Sequence, residues 1–80
     1  MNTTTTTKTP TENLIQVLTE NAASTLEHAG NVMWEEYVRV THYAEQVTGK
    51  ARAELLAQAN KAHAAATALF AAEADVKNIA

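Results

Sequence analysis

The sequence predicts an all-α protein: an antiparallel helical hairpin assembling into a homo-oligomeric bundle. Three observations carry that expectation. Apolar residues recur at steps of three and four along two long stretches. The better of two candidate turns, Thr48–Gly49–Lys50, separates the stretches. Thirteen of residues 51–80 are alanine, the best helix former.

Residues 1–8 are Thr-rich and low in complexity. Threonine and asparagine have poor helix propensity, and nothing apolar there offsets the entropy of ordering the chain. This stretch is expected to be a disordered tail, and 9–80 a single helical domain. The first helix should start at Thr9–Pro10–Thr11–Glu12. Thr9 suits the cap, Pro10 the first helical position, and Glu12 completes a capping box.

From there the first arm, about residues 9–47, carries a stripe of Leu14, Leu18, Ala22, Leu26, Ala29, Met33, Tyr37, Val40, Ala44 and Val47. The stripe stays in phase across Gly30. A helical glycine costs only about 1 kcal/mol, which favours continuity there. The alternative is a three-helix bundle broken at Gly30, because glycine ends helices and the following Asn31 can start one. The second arm, about residues 51–79, carries Leu55, Ala59, Ala62, Ala66, Leu69, Glu73, Val76 and Ala80 in alternating steps of four and three. That is a heptad seam with Glu73 as its one charged member.

Alanine on a seam lets helix backbones approach, so the bulk must come from the facing helix. The first arm supplies it with Leu26, Met33, Trp34, Tyr37, Val40, Tyr43 and Val47. In the hairpin register, facing residue numbers sum to about 98, and the second arm then stops short of Leu14, Ile15, Val17 and Leu18. Trp34 and Val38 lie beside the main seam. Overhanging apolar clusters mark contact sites, so a homo-oligomer is expected. Its interface residues would be Leu14, Ile15, Leu18, Leu26, Met33, Trp34, Tyr37, Val38, Leu55, Leu69 and Phe70.

Composition excludes several classes. There is no cysteine, hence no disulfide or thiolate metal site, and this is compatible with a reducing cytoplasm. The formal charge is −3 and the six Lys and Arg are scattered, so direct nucleic-acid binding is not expected. No apolar run approaches the ~18–20 residues of a membrane span, and the start has no signal-peptide core. A cytoplasmic protein is the reading.

Catalytic signals are absent. There is no phosphate loop and no nucleophile elbow, and no enzyme activity or cofactor is expected. His63 should face Glu35 or Glu36, and His42 lies one turn from Glu45. Neither pairing repeats the Glu-x-x-His pattern of carboxylate metal bundles, so no metal site is assigned. Trp34, Tyr37, Arg39 and His42 form a possible small-molecule site between subunits, with Arg39 holding an anion. Their ordinary role is aromatic packing plus an Arg39–Glu35 helix pair.

The expected function is therefore non-enzymatic: a small acidic helical protein that self-associates and docks on a partner protein as adaptor, inhibitor or structural subunit. The first arm has six glutamates against one arginine, which suits a partner with a basic surface. An oligomer that sequesters a small molecule is the second reading. The third is a coat for apolar granules or membranes, since the alanine-rich arm is similar in composition to phasins, though no motif is shared.

Overall fold

The computed structural model describes residues 9–79. The Thr-rich stretch 1–8 and the seam position Ala80 lie outside the described residues. Two helices account for nearly all of the rest: α1 (Pro10–Ala44, 35 residues) and α2 (Gly49–Lys77, 29 residues). They pack antiparallel on each other as a hairpin.

The start of α1 follows from its first four residues. The Thr9 side-chain hydroxyl accepts the Glu12 N–H at 3.1 Å, and the Glu12 carboxylate accepts the Thr9 N–H at 2.9 Å. Two donors that a bare helix end would leave unpaired are thereby satisfied. The far end comes earlier than expected. Helix α1 stops at Ala44, and Gln46 N–H turns back to the Tyr43 carbonyl at 3.0 Å. The turn therefore occupies 45–48 rather than 48–50, and Gly49, at φ +66°, opens α2. A left-handed backbone suits glycine, which is why the chain reverses next to that residue.

Gly30 does not break α1. The helix runs through it, and the three-helix alternative is set aside. The residue is glycine for a spatial reason: a Cβ there would lie 2.5 Å from Cε1 and 2.8 Å from Cδ1 of Phe70. The Phe70 ring occupies the space an alanine methyl would take.

The seam alternates steps of three and four on both helices. On α1 it runs through Thr19, Ala23, Leu26, Gly30, Met33, Tyr37, Val40, Ala44 and, past the helix end, Val47. On α2 it runs through Leu55, Ala59, Ala62, Ala66, Leu69, Glu73 and Val76. Gly30 against Phe70, and Trp34 and Tyr37 against His63, fix the antiparallel register. Among the described residues the buried apolar ones are five alanines and Val40, so the helices approach over methyl groups and glycine.

Leu14, Leu18 and Ala22 are not on this seam; all three are exposed. Three successive steps of four, from Leu14 to Leu26, walk the stripe about 40° each time around the helix. The line that faces α2 instead passes Ala23, Thr19 and half-buried Gln16, and becomes polar as α2 runs out. Trp34 and Tyr43 also leave the seam for its flanks, at 44% and 51% exposure.

Candidate functional surfaces

Because the seam is narrow, the hairpin has two broad faces, one on each side of it. The first is aromatic and charged. At its middle, Trp34 and Tyr37 on α1 meet His63 on α2. The ring centroids are 5.2 Å apart for Trp34–Tyr37, 5.6 Å for Trp34–His63 and 4.9 Å for Tyr37–His63. Tilted and edge-on contacts of this kind suit the ring quadrupoles. Val38 lies beside them, 52% exposed.

Towards the open end, the same face holds a cleft of about 390 Å³ lined by Thr19, Glu20, Ala23, Ser24, Glu27, Glu73 and Lys77. Glu73 is buried on the seam, and its carboxylate meets the Lys77 ammonium at 2.9 Å. That hydrogen bond, with the Glu73 charge and then Glu27, holds the Lys77 pKa above its usual value. The charged seam member is thus placed at the edge of the core, one helical turn from a lysine that reaches it. Towards the turn, a shallower depression of about 280 Å³ is lined by Tyr37, Val38, Thr41, His42 and Glu45. The Thr41 hydroxyl oxygen beside it is buried with no hydrogen-bond partner among the described residues.

The second broad face is flat and mostly apolar. A second stripe with alternating steps of three and four runs down this flank of α1. It begins Ile15, Leu18, Ala22, Thr25, Ala29 and Val32, and continues as Glu36, Arg39 and Tyr43. Its apolar part is largely exposed, with Leu18 at 56% and Val32 at 42%. Ala65 and Ala72 of α2 flank the seam on the same side. The polar end is closed on itself. Arg39 Nη2 donates to Glu36 Oε2 at 2.7 Å, and the guanidinium lies 5.6 Å from the Tyr43 ring centroid. The hydrogen bond from Arg39 holds the Glu36 carboxyl below its usual range, with the arginine's charge adding to it.

These positions sort the residues expected from the sequence. Leu26, Met33, Tyr37, Leu55, Leu69 and Phe70 are half-buried between α1 and α2 of the same chain. Leu14, Ile15, Leu18, Trp34 and Val38 remain exposed. Of the four ligand candidates, Trp34 and Tyr37 touch, and Tyr37 and His42 line one depression. Arg39 does not join them, because it turns to the opposite flank. Its helix partner is Glu36, not Glu35, since a three-residue step aligns the two side chains for a double hydrogen bond.

No family model, curated protein or solved structure matches the chain. The geometry alone therefore carries the functional argument.

His63 packs on rings rather than on Glu35 or Glu36. His42 Nδ1 lies 3.6 Å from Glu45, with Gln46 at 3.1 Å from its other ring nitrogen. Among the described residues no group of three His, Asp or Glu is placed to hold a metal ion. Among them, too, no helix is long and apolar enough to cross a membrane. Sequence reasoning missed the second stripe and the Gly30–Phe70 fit. The stripe was findable, since Ile15 to Val32 keeps the same alternating period as the seam.

Proposed function

We propose that the chain is a non-catalytic helical hairpin that self-associates and docks on a partner protein with a basic surface. One observation carries the reading. The core between the helices is almost all alanine, while ten large apolar side chains of the described residues, Leu14 and Trp34 among them, are 40% or more exposed. A two-helix core of methyl groups buries little apolar area per ordered residue, so the remaining stabilisation comes from association.

The aromatic face is the partner side of this reading. Trp34 and Tyr37 supply the rigid aromatic area that interface hot spots use. Glu20, Glu27 and Glu45 lie on the same flank, spread along the length of α1, and would attract a basic surface and set its orientation. Adaptor, inhibitor and structural subunit are all compatible with that arrangement.

The test is affinity capture from the host with wild type, Trp34→Ala and Glu20→Lys/Glu27→Lys variants in parallel. The reading expects one protein retained by wild type, reduced at least tenfold by either variant, and released by added salt. Equal retention by all three would refute the assignment of this face. A small molecule carried at one per subunit in native mass spectra would favour sequestration instead.

A further inference from the structure

The flat face has no partner among the described residues, and its residue order points to a specific occupant. Reading along α1, the exposed stripe runs Leu18, Ala22, Thr25, Ala29, Val32: large, small, threonine, small, large. The order of sizes is the same in both directions. A stripe that reads the same in reverse sets like residue against like when a second copy meets it around a two-fold axis.

We infer that this face is the self-association surface: two copies stack flat face to flat face, inverted end for end, with Thr25 on the two-fold axis. This deepens the self-association part of the proposed function and rests on it. In that arrangement α1 lies antiparallel on α1 of the second copy. Leu18 meets Val32 of the second copy, and Ala22 meets its Ala29, so bulk packs on bulk where the surfaces part and methyl on methyl where they approach.

Two further features agree. First, α1 outruns α2, and its overhang has no cover among the described residues. With the axis at Thr25, the overhang of each copy lies along Gly30 to Val40 of the other. The extra length of α1 then lies over the other copy's α1 rather than projecting beyond the assembly. Second, the area suffices. With the axis at Thr25, α1 lies on the other copy's α1 over residues 10–40, about 46 Å long and about 10 Å wide, while the two α2 helices overlap by about two turns at their C-terminal ends. That contact covers about 550 Å² on each copy, about 1,100 Å² in total, just above the ~1,000 Å² that a specific interface needs. The overhang by itself, about 16 Å of one helix, would fall well short.

On α1, charge does not oppose the contact. The ionic groups on the α1 stripe, Glu36 and Arg39, are already paired with each other. The other carboxylates of α1 lie off the stripe.

The chain has no cysteine, so single-cysteine variants report position cleanly. Mild oxidation of Thr25→Cys should give a covalent dimer, because residues on a two-fold axis come within disulfide reach. Asn31→Cys, on the other flank, should stay unlinked. In sedimentation, wild type should be dimeric, and a Leu18→Glu/Val32→Glu variant should be a monomer of unchanged helical circular dichroism. Both leucine and valine are exposed, so the hairpin itself does not depend on them. A dimer that survives the double substitution would overturn this face while leaving self-association standing. Loss of the dimer without a Thr25→Cys crosslink would overturn the inverted arrangement. A wild-type monomer at all concentrations would overturn both this inference and the self-association it rests on.

Discussion

Replacing Gly30 by alanine sets two effects of known sign against each other. In a helix interior the change should stabilise by about 0.8–1.0 kcal/mol, because alanine loses less backbone entropy. Here the new methyl would lie 2.5, 2.8 and 3.0 Å from three carbons of the Phe70 ring. Unstrained carbon contacts are about 3.5–4.0 Å, so the ring must retreat by about 1 Å or swing out of the groove. Overpacking of this size costs about 1–3 kcal/mol. The net expectation is a loss of about 0–2 kcal/mol in wild type. In a Phe70→Ala background the obstacle is gone, and Gly30→Ala should stabilise by about 1 kcal/mol. Urea titration of the four proteins at one protein concentration closes the cycle. Each kcal/mol corresponds to about 4–8 °C in a parallel thermal melt. If Gly30→Ala stabilises equally in both backgrounds, the ring does not fill the glycine groove and the reasoning fails.

Other substitutions test the same seam and its ends. Ala66→Leu places a larger side chain at a fully buried position and should lose about 1–3 kcal/mol, while Ala64→Leu on the exposed side should lose almost nothing. Equal urea midpoints for the two would contradict the seam. Gly49→Ala meets no neighbouring atom but must hold φ +66°, and should lower stability by about 1–2 kcal/mol in the same titration. The Glu36 carboxyl should titrate below an ordinary glutamate by NMR, and Arg39→Ala should return it to the usual range. Since its folded pKa is depressed, the pair's contribution is present above the ordinary glutamate range and lost as pH falls through the lowered value. A stability difference between wild type and Arg39→Ala that grows towards low pH would have the wrong sign.

The parts of the fold legible in the sequence were those set by local chemistry. The Thr9–Glu12 capping box needs only four adjacent residues, and the α2 seam only a regular period. Two features were not legible. The end of α1 was misplaced by three residues, because Glu45, Gln46 and Val47 have no breaker among them and the reversal depends on Gly49 beyond. Leucine is the stronger apolar signal, so the period read from the sequence runs onto Leu14 and Leu18. The true seam at that end passes through Ala23, Thr19 and Gln16, whose chemistry does not advertise burial. Arg39 was grouped with Trp34 by proximity in sequence, yet five residues along a helix leave two side chains on opposite flanks.

The exposed positions of Leu14 and Leu18 bear on function. Had they continued the seam, the overhang would extend a two-helix groove, and a third helix lying end-on to α2 could complete it. On the structure they lie away from the α2 line, and Leu18 belongs to the stripe that includes Val32. The exposed apolar surface is therefore continuous along one flank of α1 rather than confined to its tip. A tip contact would join hairpins end to end through a small area. A flank contact stacks them face to face and covers several times the area of the tip. The same geometry leaves Trp34, Tyr37 and His63 outward on both copies of such a pair, one set on each outer side. A partner with two like sites could then engage both, and its apparent affinity for the pair would exceed that for one hairpin through effective concentration alone.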